Sequence, residues 1–569
     1  MNGISKKIKL VTALYKYIED KKDEIPLYFG NDISTYLPGD RLEDTFLKKE
    51  FPNKSSIRKL IKHLTDDRDI AMKAIGVLYQ GHVVVEHYNY PFTGKFRYVS
   101  YSLAKTVTAL GVGAAIDRGL LTLDTKISDI FTEHNKIFQG KQLKSVTVKH
   151  LLTMTAGVGF CETDAIFSFD WCKDYMSSHP KFFPGEDFYY NSLNTYMLVA
   201  LISKVAKKSF MDFMKEAIFE PMDIHDITWD KCPQGIERGG WGIKLSLADM
   251  LKFGKLILDD GVWNTKKGRN RLVSSEFIKD MRSCHTRLTN KKLVDGYGYG
   301  IWLLKDGSFL ANGLFGQNIY INPDRELVIA IMASAKEMFP DGKTVKALCD
   351  FASKDSNFLF SNILWDGWYL NKSKKVYLKG KNNLKSIKSA LASYLGNEYR
   401  FTDYASNILP LSSQLMYSNY MSKIRSLKLD IVKDNFVLRC KDRDGGYNLN
   451  IGYTRKKPYI YQLLTINGKQ MPVAVSGSLL YDEEDRLLLK IHIAYLEEVG
   501  DRIFKIYFED GRIRLKSYET PDLIGFIDKF IDEEFFDKIK KAKDRIPPDY
   551  LNYSVKKILR PNVIGYIDE

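Results

Sequence analysis

Ser102 and Lys105 stand three residues apart in Ser102-Leu103-Ala104-Lys105. On a helix that spacing puts the hydroxyl and the amine on one face. A lysine packed in an apolar wall gives up its proton readily, and a neutral amine can take the proton of a serine hydroxyl. The chemistry predicted is nucleophilic attack by an activated serine. The same spacing also starts at Ser56, Ser178 and Ser554, where a solvated lysine near a serine is enough to account for it. The surroundings of Ser102 differ. Ala104, Val107, Ala109, Leu110, Gly111, Val112, Gly113, Ala114 and Ala115 are all small or apolar, so this helix is expected to be buried.

Other elements must hold that helix. Ala74–Tyr79 and Val83–Tyr88 flank Gln80-Gly81-His82 and predict a hairpin ahead of it. Asp117-Arg118-Gly119 ends the helix with a glycine stop. His150–Gly157 opens a short helix, and residues 195–258 form an α-rich stretch. Strands return at Gly298–Leu304, Phe309–Asn312, Asn318–Asn322 and Leu327–Met332. Strands thus open and close the domain and helices fill its middle. The fold class predicted is an α/β (α+β) sandwich, an antiparallel sheet flanked by helices, whose edge strand joins late.

The expected division is a helical lead over residues 1–66, the α/β domain that carries Ser102 over 67–345, a lysine- and asparagine-rich linker over 346–390, and a small antiparallel β domain over 391–569. Alternating runs at Leu427–Ile431, Phe436–Arg439, Tyr447–Ile451, Leu487–Ile493 and Ile503–Phe508 predict the last, with turns at Asn467-Gly468 and Asp510-Gly511. A length of 569 residues fits two domains.

Composition narrows the function classes. Hydrophobic content of 44% and charged content of 27% suit a globular enzyme. The net charge of +15 comes from lysines scattered among acids. No nucleic-acid recognition module accompanies them, so no nucleic-acid partner is expected. The charge leaves an acidic substrate or partner open. Cys161, Cys172, Cys232, Cys284, Cys349 and Cys440 form no C-x-x-C pair. Their dispersal suits reduced thiols and a cytoplasmic location. No histidine cluster has metal-ligand spacing, and no cofactor is expected. Residues 1–22 are basic and amphipathic but lack an apolar signal core. They are read as a packed helix rather than a membrane-surface one, and no transmembrane segment is expected.

Five segments occur in an order that carries a resemblance: the Ser102 motif, His150–Gly157, Pro184–Tyr196, Gly239–Gly254 and Gly313–Val328. Through them, residues of about 65–345 resemble the serine β-lactamase-related family, on the side of the class C β-lactamases, family VIII esterases and 6-aminohexanoate-oligomer hydrolases. The resemblance implies a β-lactamase/transpeptidase-like fold, with the β domain as an appended module. It makes Ser102 the nucleophile, Lys105 its base and Tyr190 the proton shuttle. An ordinary phenol is a poor base, so Tyr190 is expected near the Lys105 ammonium. The adjacent Tyr189 is assigned to packing. Tyr190-Asn191-Ser192 has serine where the β-lactamases have asparagine. Ser192 is expected to bond Lys105 or substrate, and Asn194 belongs to the same element.

The family's Lys-Thr-Gly or His-Thr-Gly triplet falls on Ala311-Asn312-Gly313. Its cation is missing, and Asn312 stands close to that place. Gly313 would let substrate approach, and the Leu314 amide would join that of Ser102 as an oxyanion hole. Gln317 follows in the turn, and Trp241 is a candidate for the pocket wall. Cys161, Asp170, Trp171 and the loop between them lie where relatives carry a variable lid.

The expected function is hydrolysis of a small-molecule ester or amide through an acyl-serine, with weak or no β-lactamase activity because the carboxylate-binding cation is absent. Two alternatives stay open, acyl transfer on the same scaffold and a binding protein that has retired its chemistry. The β domain is expected to shape the pocket entrance, pair two copies as a homodimer, or bind a partner.

Overall fold

A computed structural model describes residues 54–134, 141–165, 168–265, 268–337, 340–353, 384–403, 406–417, 421–432, 435–454, 458–522 and 560–567. These fall into two compact units, 54–353 and 384–567. The predicted helix over residues 1–22 lies outside the described residues, as does most of the predicted linker.

The first unit is built on an eight-stranded antiparallel sheet. Its strands are β1 (Met72–Tyr79), β2 (His82–Tyr88), β3 (Thr286–Arg287), β4 (Val294–Tyr297), β5 (Trp302–Leu304), β6 (Phe309–Gly313), β7 (Gln317–Asn322) and β8 (Leu327–Ala333). Their order is β2-β1-β8-β7-β6-β5-β4-β3. The predicted β1–β2 hairpin turns at Gln80 and Gly81, both at positive φ, as a two-residue turn requires.

The late strand does not join at the edge. β8 pairs with β1 on one side and β7 on the other. The reason is its sequence, Leu-Val-Ile-Ala-Ile-Met-Ala, which is apolar at every position and buried throughout. Alternate side chains leave a strand on opposite faces, so such a run needs cover on both. Leu327, Ile329 and Ile331 pack with Ile57, Leu60 and Leu64 of α1 (Lys54–Asp66) and with Val345, Leu348 and Phe351. Val328 points the other way, where a Cβ added to Gly254 would lie 2.4 Å from its Cγ1. The edge position falls to β2, whose side chains are mostly half-buried.

Two buried helices fill the middle. α2 (Ala104–Asp117) is buried from Ala104 through Ala115. α3 (Ser192–Ala206) is buried from Ser192 through Ile202. The stretch expected to be α-rich also contributes strands. Thr228–Trp229 and Ile243–Leu245 form a three-stranded sheet with Tyr98–Val99. Residues Lys343–Ala352 form a helix on the α1 side, so part of the region read as linker belongs to this core.

The second unit carries a ten-stranded antiparallel sheet around an apolar interior. It includes all five runs read from the sequence, together with Glu398–Phe401, Ile460–Ile466, Lys469–Tyr481, Arg512–Thr520 and Asn562–Ile567. The sheet curls on itself. Gly452 N donates to Val475 O at 3.0 Å, and Gly477 N donates to Gly452 O at 2.7 Å. Leu384–Ala390, also read as linker, is helical, with Ile387 buried in this interior. Among the described residues no helix is long and apolar enough to cross a membrane.

The sheet of the first unit should be sensitive at its centre. Ile331→Ala is expected to destabilise it by about 2–5 kcal/mol, read as a lowered midpoint of urea unfolding.

Candidate active site

The chain reaches Ser102 along a fixed path. Tyr98–Val99 pairs with Lys244 and Leu245, and Ser100 N donates to Ile243 O at 2.9 Å. Tyr101 then takes a left-handed conformation at φ 47° and opens the tight turn Tyr101–Leu103 that runs into α2. A bulky residue there is strained by about 1–3 kcal/mol, so its surroundings must hold it. The Tyr101 ring packs edge-on against Phe315 at 5.3 Å, and Phe315 is itself left-handed at φ 63°. The two strained residues thus brace each other beside a half-buried Ser102.

Lys105 projects from the first turn of α2 and is 2% exposed. Its Nζ lies 2.9 Å from Ser102 Oγ, 2.8 Å from Ser192 Oγ and 3.0 Å from Gly240 O. Each partner is delivered by a different element. Ser192 is the first residue of α3, whose N-cap Asn191 accepts from Leu193 N at 2.9 Å. Gly240 follows the sharp turn at Gly239. A Cβ on Gly240 would fall 2.7 Å from Ser192 Cβ, so only glycine lets this carbonyl come close enough to reach the amine.

Burial lowers the Lys105 pKa to about 7, and the nearby Glu162 carboxylate only partly opposes it. The cost of charging an amine here dominates. Tyr190 moves the opposite way. Burial raises its phenol well above the ordinary value, a hydrogen bond with Ser102 lowers it in part, and Glu162 raises it further. The amine meets the face of the Tyr190 ring, 4.7 Å from its centroid, and the Ser102 hydroxyl is close enough to bear on the phenol's proton affinity. This differs from the expected ammonium–phenol contact. Of the pair, the amine is the group that loses its proton first. Tyr190 is fixed from behind by Trp302, stacked at 5.4 Å, and by Tyr297, edge-on at 6.1 Å.

Gly313 ends β6 and Leu314 opens the next tight turn. A Cβ on Gly313 would lie 2.2 Å from Ser100 O, so the turns carrying the Ser102 and Leu314 amides lie directly against each other. Gln317 is 1% exposed, and its amide donates to Ala333 O at 2.7 Å and Phe315 O at 3.2 Å. It ties down the Leu314 turn. Asn194 points into the core, where it accepts from Tyr175 OH at 2.7 Å. Asn312 donates to Asn318 Oδ1 at 2.7 Å across the β6–β7 pair. Trp241, half-buried and next to Gly240, stacks on Trp171 at 5.5 Å, with the Arg238 guanidinium 5.7 Å from its ring.

The structure thus brings Ser102, Lys105, Tyr190 and Ser192 together, with Gly313 and Leu314 alongside. Asn194 and Gln317 spend their side chains on the scaffold. Sequence reasoning missed the Gly240 carbonyl and Glu162. The glycine pair at 239–240 was a visible signal for the first. Glu162 lay unmarked in a loop whose partners are distant in sequence.

The Beta-lactamase family model matches residues 57–348. A beta-lactamase of Escherichia coli (strain K12) is 28% identical over 230 residues, which cover 38% of this chain and 60% of that protein's length. The 6-aminohexanoate-dimer hydrolase of Paenarthrobacter ureafaciens is 20% identical over 299 residues, covering 47% of this chain and 73% of its own. Among solved structures, a family VIII carboxylesterase superposes with a TM-score of 0.43 at 17% identity, over 53% of this chain and 97% of that one.

The packing of the two turns gives a test. Gly313→Ala should push the Leu314 turn off the Ser102 turn and slow phosphonylation of Ser102 by a fluorophosphonate about 100-fold or more, with the circular dichroism of the fold retained.

Proposed function

We propose that this chain, which belongs to the beta-lactamase family, is a serine hydrolase that opens an ester or amide through an acyl-enzyme on Ser102. The observation that carries the reading is the three-partner contact of a buried Lys105 Nζ with Ser102, Ser192 and Gly240. A neutral amine has two N–H donors and one lone pair. The Gly240 carbonyl can only accept. With one N–H on that carbonyl and the other on Ser192 Oγ, the lone pair is left for the Ser102 hydroxyl.

In the first step the Ser102 proton passes to Lys105 Nζ as Oγ attacks the carbonyl carbon. The Ser102 and Leu314 amides stabilise the oxyanion. The C–O or C–N bond to the leaving group then breaks, and Tyr190 O–H protonates the departing atom. Its high proton affinity suits a group that enters each cycle protonated. Water attacks the acyl-serine next, its proton taken up by the Lys105 and Tyr190 pair, and the acid leaves with Ser102 restored. Ala311, at the place of the triplet's cation, supplies no fixed positive charge for a substrate carboxylate, which favours simple esters or amides over β-lactams.

Four outcomes test this. A fluorophosphonate should label the wild type, and Ser102→Ala should abolish the label. Lys105→Ala should lower kcat/KM by about 100- to 10,000-fold. Because the base is the neutral amine, kcat/KM for a p-nitrophenyl ester should rise with pH through about 7 and level off above it. That ester should also be cleaved faster than nitrocefin. The reverse ranking overturns the argument from the missing cation, and a labelled Ser102→Ala overturns the nucleophile.

A further inference from the structure

Glu162 is a carboxylate that the acyl-transfer steps do not use. It opens the short helix Glu162–Ala165. Its Oε1 accepts the Ser192 backbone N–H at 2.8 Å, and the Ser192 hydroxyl is the one that meets Lys105 Nζ at 2.8 Å. The acid is therefore one residue away from the reacting cluster. Ser192 and Lys105 are buried, while Glu162 is only half-buried, so the acid faces the accessible side of that cluster. Among the described residues its Oε2 has no hydrogen-bond partner. Its charge reaches Lys105, Tyr189 and Tyr190.

The charges around it leave a deficit of positive charge. Asp164, two residues on, is 8% exposed and accepts the Cys161 N–H at 3.0 Å. The Lys181 ammonium lies over the Tyr189 ring at 3.6 Å, but the side chain is exposed and screened by water. The Arg238 guanidinium lies over the rings of Trp241 and Trp171, at 5.7 and 5.9 Å. When the base is neutral and ready to act, Glu162 meets the Ser192 N–H at the start of α3, and among the described residues it forms no ion pair.

We propose that Glu162 is a specificity-determining residue that makes this pocket favour esters or amides bearing a positively charged nitrogen a few bonds from the scissile carbonyl. The proposal rests on the hydrolase reading above and names its substrate class. An ammonium or quaternary nitrogen entering the pocket would satisfy the charge of Glu162, whereas a substrate carboxylate would be repelled by it. The preference runs against the +15 net charge of the whole chain, so it must come from the local field.

The test uses two pairs of isosteres that differ only in charge. One pair carries the charge on the leaving group, butyrylcholine against the ester with a tert-butyl group in place of trimethylammonium. The other carries it on the acyl chain, the p-nitroanilide of γ-trimethylammonio-butyrate against its tert-butyl counterpart. In at least one pair the wild type should show a kcat/KM about 5-fold or more higher for the charged member. Glu162→Gln keeps an oxygen for the Ser192 N–H, so it should bring that ratio close to one, whatever it does to the absolute rate through Lys105. A purely structural role for Glu162 would alter both members equally. Binding of the same four compounds to Ser102→Ala, measured by calorimetry, reads the charge preference without turnover. Tighter binding of a charged member, lost on adding Glu162→Gln, supports the proposal even where hydrolysis fails. Equal affinity within both pairs, or a preference that survives Glu162→Gln, overturns it and leaves the hydrolase reading intact.

Discussion

A single amine held out of water governs this site. Lys105 is a cation in free solution, and its burial makes the charged form expensive. The drop from an ordinary 10.5 to about 7 corresponds to about 5 kcal/mol of bias toward the neutral amine. Hydrogen bonds from Nζ to Ser192 Oγ and Gly240 O do not restore the charge, because a neutral amine can make both. What the fold supplies is a dry socket with two acceptors and one hydroxyl, and that set of partners turns a lysine into a base near neutral pH.

The rest of the first unit can be understood as support for that socket. α2 is lined with alanine and glycine because other elements press on it closely. A Cβ on Gly111 would fall 2.6 Å from Met214 Sδ, and one on Gly113 would fall 2.5 Å from Phe277. Thr106 and Thr108 could not be buried in such a helix alone, and each donates to a loop carbonyl, Gly300 O at 2.6 Å and Gly239 O at 3.1 Å. The second of these bonds anchors the residue just before Gly240. The same helix thus positions the amine and one of its acceptors. Opposite it, Tyr101 and Phe315 hold two strained turns in register through one ring contact. Backbone strain at both is tolerated because neither can relax without the other.

Legibility from the sequence followed how local each signal was. The β1–β2 hairpin was readable because the turn residues Gln80 and Gly81 adjoin the strands they join. The Ser102 helix was readable because its spacing and its small residues lie in one run. The position of β8 was misread because edge or centre depends on which helices cover a strand, and α1 lies far from β8 in the chain. Lys469–Tyr481 was hidden by Pro472, which argues against a strand interior. The structure resolves the conflict. Pairing with Ile460–Ile466 includes Pro472, whereas pairing with Leu487–Tyr495 starts only at Val473. On that second side Pro472 offers only its carbonyl, which accepts from Leu496 N at 3.0 Å, so its missing N–H is not needed there. Glu162 was not legible at all, since its role depends on a backbone amide thirty residues away.

The central claim concerns the protonation of one side chain, and the most direct test observes that side chain. Lysines labelled with carbon-13 at Cε can be followed by NMR across a pH titration, with Lys105→Arg assigning the signal. The account predicts one resonance with a midpoint near 7, absent in the variant, against a background of lysines that titrate near 10. If the assigned Lys105 signal titrates with that background instead, the amine is a permanent cation at neutral pH and cannot be the base.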